Sequence, residues 1–194
     1  MIIESLTVGF FETNCYILGK RETGDAAIID PGDEEARILK RIEEQGLNPL
    51  CIINTHGHVD HIGATRSLAE RLKNIKVYIH EADAQMLIGL ETDALFFLKD
   101  GDSIAAGGLR FKIIHTPGHT PGGISLLING HLFSGDSLFC GSIGRTDLPG
   151  GSTKQLLRGL KEKILTLPGK TIVHPGHGPA STIEDEKLSN PFLS

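Results

Sequence analysis

Three histidines and an aspartate fall within the seven residues Thr55-His56-Gly57-His58-Val59-Asp60-His61. Imidazole nitrogen and carboxylate oxygen are the donors used by zinc, iron and manganese sites. His56 and His58 stand two residues apart, so an extended backbone points both side chains the same way. Asp60 and His61 follow where a helix is expected to begin, placed to serve a neighbouring ion. One short stretch cannot surround a cation alone. Further donors are His119 in "HTPGHTPGG", Asp136 in "FSGDSLF" and His177 in "HPGHGP".

The number of donors separates two kinds of chemistry. A structural zinc is usually closed by four ligands and rich in cysteine. This chain offers seven candidates and no cysteine with ligand spacing. Two ions sharing Asp136 as a bridge would use all seven and leave positions open for water. Such a pair lowers the pKa of bound water toward ~7 and clamps a reacting oxygen, which is hydrolytic chemistry. His80, His115, His131 and His174 lack such company and read as ordinary surface or hydrogen-bonded residues.

These donors need a rigid frame. "MIIESLTVG", "NCYILGK" and "AAIID" read as strands, the last stopped by Pro31-Gly32. "DEEARILKRIEEQG" reads as a helix with an acidic first turn, Ile38, Leu39 and Ile42 on one face, and Gly46 as its stop. The buried-strand run "LCIINTH" leads into the histidine cluster, a helix follows over 61–73 within "HIGATRSLAERLKN", and "IKVYIHEAD" is a strand. The first half therefore alternates strand and helix in the α/β manner. The second half is strand-rich, with "LRFKIIHTPG", "GISLLING" and "HLFSGDSLF", the last two joined at the turn signal Asn129-Gly130. "TKQLLRGLKEKILTLPG" is a helix with an apolar stripe of Leu156, Leu160, Ile164 and Leu167, "KTIVHPGHGP" is a last strand, and 181–194 holds a short helix and a terminal segment. Several of these strands end in a loop carrying candidate donors, and loops at one end of a sheet are where chemistry is usually presented.

With 194 residues and no linker or repeat, a single domain over 1–194 is expected. A formal net charge of -5 leaves no basic footprint, so nucleic acid is not expected as a partner. No run approaches the ~18 apolar residues of a membrane helix, and the first residues lack the pattern of a secretory leader. A cytoplasmic location is expected. Cys15, Cys51 and Cys140 lack CxxC spacing, and the first two read as small buried hydrophobes.

"THGHVDHIGA", "TPGHTPGG", "FSGDSLF" and "HPGHGP", in that order, resemble the metallo-β-lactamase superfamily over essentially the whole chain. The resemblance implies an αββα sandwich, an α/β fold with a metal site at one edge between its two sheets. It implies that His56, His58 and His119 hold one ion, that Asp60, His61 and His177 hold a second, and that Asp136 bridges them. "FETNCYIL", "GDSLFCGSIGRTDLPGG" and "GHGPASTIEDEKLSNPFL" are similar to the short glyoxalase II-like group, which includes hydroxyacylglutathione hydrolases and related thioesterases. With 17 residues after His177, no separate C-terminal helical glutathione-binding domain is expected.

The expectation is thus a binuclear hydrolase of thioesters, of the lactoylglutathione type, with a small-molecule thioester as partner. A hydroxide held between two divalent ions would attack the carbonyl. The ions are zinc in the first instance, with iron or manganese as alternatives. Asp60 and Asp136 are the candidate catalytic residues, and Thr55 or Thr116 would orient imidazoles. The longer glyoxalase II enzymes carry a Lys and a Tyr for glutathione after the bridging Asp. Here Arg145 stands in for the Lys, and no Tyr lies nearby. Arg145 would meet a substrate carboxylate, or would instead pair with Asp147. The alternative activity is a single-iron persulfide dioxygenase, which shares the fold and the "GRTD" element; other hydrolases of this fold share the metal centre.

Overall fold

The computed structural model describes residues 1–73, 75–87, 89–90 and 92–193. Its central strands bury both faces, because alternate residues point into different layers. In β2 (Thr13–Gly19), Cys15 and Ile17 face outward to helices while Tyr16 and Leu18 face inward. In β3 (Asp25–Ile29) and β4 (Asn48–Ile53), Ile28 and Ile52 point outward while Ala27, Ile29, Cys51 and Ile53 point inward. With β1 (Ile2–Val8), β5 (Lys76–His80) and β6 (Leu95–Leu98), they form a six-stranded sheet ordered β1-β2-β3-β4-β5-β6. Pairing is antiparallel from β1 to β3 and parallel from β3 to β6.

The second sheet contains β7 (Ser103–Ala106), β8 (Leu109–His115), β9 (Ile124–Ile128), β10 (His131–Gly135), β13 (Ile172–Pro175) and β14 (Ser181–Thr182), ordered β14-β13-β10-β9-β8-β7. A separate small hairpin joins β11 (Leu138–Phe139) to β12 (Ser142–Ile143). The inner core joins the two sheets, with Phe111, Ile113, Leu126 and Phe133 packed against the inward residues of β2 to β4. Outside the first sheet lie α1 (Glu35–Glu44), the four-residue α2 (Val59–Ile62) and α3 (Thr65–Arg71), with Ile38, Ile42 and Leu68 as anchors. Outside the second lie α4 (Thr153–Gly159) and α5 (Ile183–Ser189), with Leu156, Leu160, Ile164 and Ile183 packed inward. These are the four layers of the αββα sandwich. No helix among the described residues is long and apolar enough to cross a membrane.

Several elements differ from the sequence reading, among them "HLFSGDSLF", whose strand β10 ends at Gly135 before the separate β11–β12 hairpin. The helix expected over 61–73 starts at Val59 and is broken between α2 and α3. The break docks on the Pro31-Gly32 turn: the Ala64 amide donates to the Pro31 carbonyl, and a side chain at Gly63 would collide with the Gly32 carbonyl. Asn74, which ends that run, and the terminal Ser194 lie outside the described residues. The helix begun by α4 continues as a π-helical turn over Leu160–Ile164, closed by the Leu165 amide on the Leu160 carbonyl. Finally, β6 and β7 were not read from the sequence, because neither LFFL nor SIAA alternates apolar with polar residues.

Candidate metal centre

The donor-bearing loops leave β4, β8, β10 and β13 at one edge of the sandwich. Strand β10 runs parallel to β13, so Asp136 and His177 follow adjacent strand ends. Gly135, at φ 50°, closes β10 in the left-handed region, with the next residue, Asp136, facing the other donors. The His177 loop is tied to the first sheet: Asn14 donates from Nδ2 to the carbonyls of Pro175 and Gly178.

All seven expected donors converge. Nδ1 of His58 lies 3.1 Å from Nε2 of His56 and 2.9 Å from Nε2 of His119. In the second group, Nε2 of His177 lies 3.3 Å from both His61 Nε2 and Asp60 Oδ2, and the latter two are 3.6 Å apart. Asp136 stands between the groups. Its Oδ1 is 3.3 Å from His61 Nε2, while its Oδ2 is 3.5 Å from His119 Nε2 and 3.6 Å from His177 Nε2. Donors about 2.0–2.1 Å from a shared tetrahedral ion stand about 3.3–3.4 Å apart. The observed separations fit that requirement.

Hydrogen bonds on the far sides of the rings give the stronger test. His61 Nδ1 faces Asp30 Oδ2 at 3.0 Å, His119 Nδ1 faces the Arg145 carbonyl at 2.8 Å, and His177 Nδ1 faces the Phe11 carbonyl at 3.0 Å. These partners only accept, so each Nδ1 carries the proton. His56 Nδ1 faces Thr55 Oγ1, whose own hydroxyl donates to Asp30 Oδ2 at 2.6 Å, so this Nδ1 donates as well. In their neutral forms, four Nε2 lone pairs therefore point into the cluster. The buried Asp136 Oδ1 adds an oxygen with no hydrogen-bond partner. A set of bare acceptors facing one another fits a cation and little else.

Electrostatics divide the two groups. Burial and the surrounding imidazoles push His56 well below the ordinary histidine value. Burial opposes protonation of His61 too, but the Asp136 and Asp30 carboxylates outweigh it and raise the group. Burial would raise Asp60, yet its bond to His177 and the nearby His61 hold it below the usual carboxylate range. Asp136 is likewise lowered against burial, chiefly by His61. The second group thus attracts positive charge more strongly than the first.

Two supporting residues escaped the sequence reading. Asp30 accepts from the Thr55 amide, the Thr55 hydroxyl and His61. Its signal was a carboxylate at the end of a strand, just before Pro31-Gly32. Thr13, which donates to Asp60 Oδ2 at 3.2 Å, had no such signal. Thr55 orients His56 as expected, but Thr116 does not orient an imidazole. The Thr116 hydroxyl instead meets Ser125, Ser137 and the Gly123 carbonyl behind the site. Cys15 and Cys51 are buried, with the Cys51 thiol pushed up to about 12 by burial, and Cys140 is exposed.

A cleft of about 620 Å³ opens over the donors, walled by Phe11, Val59, Phe139, Ile143 and Leu148, with Arg145 at its side. Arg145 is exposed, and its Nε and Nη2 donate to the two carboxylate oxygens of Asp147 at 2.8 and 2.7 Å.

The family model described as "Metallo-beta-lactamase superfamily" matches residues 8–177. The chain is 37% identical over 211 residues to the hydroxyacylglutathione hydrolase GloC of Haemophilus influenzae, covering 100% of this chain and 99% of that protein. It is 38% identical over 189 residues to the human mitochondrial persulfide dioxygenase ETHE1, covering 94% of this chain and 72% of that protein. Among solved structures, the di-iron-bound form of TTHA1623 superposes with a TM-score of 0.87 at 38% identity, covering 98% of this chain and 100% of that chain.

Proposed function

The chain belongs to the metallo-beta-lactamase superfamily, its His/Asp cluster is that of a metal-dependent hydrolase, and we propose that it is a binuclear thioesterase acting on glutathione thioesters such as lactoylglutathione. The observation that carries this reading is the convergence of two complete donor groups on Asp136. His56, His58 and His119 would hold one divalent ion, Asp60, His61 and His177 the other, and Asp136 both. Two ions bound there supply a nucleophilic water of lowered pKa and polarise the substrate carbonyl. Zinc is proposed, and iron and manganese accept the same nitrogen and oxygen donors.

The chain's own residues prepare the rest. Asp60, kept ionised and oriented by Thr13, presents a carboxylate acceptor that aligns the attacking water. The apolar walls Phe11, Val59, Phe139 and Ile143 shield the reacting carbonyl from bulk solvent. Arg145 is the cation among the residues lining the cleft, placed to meet a glutathione carboxylate once it releases Asp147. Water adds at the carbonyl carbon, the carbon–sulfur bond breaks, and a carboxylic acid and a thiol leave. The proposed partner is thus a small thioester, not a nucleic acid.

The human relative's name raises the second reading, persulfide dioxygenation. The second donor group favours the thioesterase, since a single-iron site does not require it. Metal quantification with turnover of lactoylglutathione and other thioesters tests the proposal. Replacement of both His58 and Asp136 by alanine is expected to abolish hydrolysis; undiminished activity refutes the reading. Oxygen uptake with glutathione persulfide, without thioester turnover, would establish the alternative.

A further inference from the structure

We propose that Asp83 is the positioning residue that fixes the His56–His58–His119 group, by hydrogen-bonding at once to the two loops that carry it. The inference rests on the two-ion reading above and adds a residue to which that reading gives no role. This donor group is assembled from two sheets: His56 and His58 follow β4, whereas His119 follows β8. Something has to hold the two loops in register, because an error of a few tenths of an ångström between donors weakens a metal site.

Asp83 occupies the 3-10 turn Glu81–Met86 that follows β5, and it is 4% exposed. Its Oδ2 accepts from the Gly57 amide at 3.0 Å, and its Oδ1 accepts from the Gly122 amide at 2.7 Å. Gly57 lies between His56 and His58, and Gly122 lies three residues after His119. One carboxylate therefore joins both loops, one oxygen to each. The turn carrying it is secured by His80, whose Nδ1 accepts from the Ala82 amide and whose ring stacks on His115 with centroids 4.1 Å apart.

The two amide donors are glycines for a steric reason. A Cβ at Gly122 would stand 2.6 Å from the carboxyl carbon of Asp83. A Cβ at Gly57 would stand 2.9 Å from Met86 Cγ and 3.1 Å from the Asp83 carbonyl oxygen. The turn is thus pressed against both loops, and backbone bare of side chains lets the carboxylate approach. An ionised carboxylate only accepts hydrogen bonds, which suits two facing N–H groups. Asparagine has nearly the same shape but would turn an NH2 toward one of them. Asp83 differs in this from Asp30, which reaches His61 directly and His56 through Thr55.

The test is Asp83→Asn in the full chain, with Glu81→Gln, an exposed change on the same turn, as control. Zinc affinity is measured by competition with a chromophoric chelator, alongside circular dichroism and thioester turnover. The folded Asp83→Asn protein is expected to bind one zinc ion as the parent does and the other about tenfold to a hundredfold more weakly. The control should keep both affinities. Two ions bound with parental affinity, or an equal weakening of both, would overturn the proposal. A parent chain that takes up fewer than two zinc ions overturns the two-ion reading instead. Amide hydrogen exchange in the metal-free parent provides a second measurement, independent of the variant's folding. The Gly57 and Gly122 amides are expected to be strongly protected; rapid exchange at either overturns the bridge.

Discussion

Oδ2 of Asp30 lies 3.0 Å from Nδ1 of His61, and both side chains are withdrawn from solvent. The same oxygen accepts the Thr55 hydroxyl, which in turn faces His56 Nδ1 at 3.1 Å. One carboxylate thereby sets the tautomer of a histidine in each donor group. Asp30 is held at φ 49°, in the left-handed region that aspartate tolerates better than most residues.

Asp30→Asn is therefore expected to weaken both ions, each by about tenfold to a hundredfold. Asp83→Asn should weaken only one. Chelator competition on the two variants side by side distinguishes these outcomes. Parental affinity at both sites in Asp30→Asn would show that the ring orientations have another source.

Arg145 and Asp147 supply a test of the glutathione assignment. Their paired hydrogen bonds hold the guanidinium away from any substrate carboxylate. Asp147→Asn should lower KM for lactoylglutathione by about two- to fivefold with kcat unchanged, because exposed ion pairs are weak. Arg145→Ala should raise KM. A KM indifferent to both changes removes Arg145 from substrate binding.

His174 predicts the acid limb of stability. It stacks on Phe133, meets the edge of Tyr16, and its Nε2 lies 2.9 Å from His131 Nδ1. Burial, followed by the neighbouring His131, lowers it from 6.5 to about 4. The unfolded chain thus binds this proton at higher pH than the folded one does. Stability from this group is intact above the unfolded value, declines as pH falls below it, and levels off near the folded value. Urea midpoints should fall as pH drops from 6.5 toward 4, with a shallower slope in His174→Gln. Equal slopes in the two proteins would exclude this origin.

Phe111 tests the separation of core from site. It is fully buried between the two sheets, and Phe111→Ala should cost about 3–5 kcal/mol of unfolding free energy. The folded fraction should keep parental zinc affinity, since no donor or loop clamp is touched. Calorimetry and chelator competition read the two quantities independently.

Much of this molecule was legible in residue order. The α/β class, the strands ending in donor-bearing loops and all seven convergent donors followed from local patterns and residue types. The short strands β6 and β7 did not, because neither LFFL nor SIAA alternates apolar with polar residues. Nor did the break between α2 and α3, which arises where that segment meets Pro31-Gly32, a turn just over thirty positions earlier in the chain.

Residue order thus determined which side chains were available and which strand ends would present them, since both depend on neighbours in the chain. Tertiary structure decided which ring nitrogen points inward, which carboxylates stand behind the donors, and that Asp147 already holds Arg145. Asp30 and Asp83 look in the sequence like any other acidic residues near strand ends. Each gains its role from partners 25 to 39 positions away. Hydrogen bonds over such separations are set by which strand ends the fold brings side by side, within the first sheet for most of them and across to the second for Gly122, and that geometry has no local signature to read.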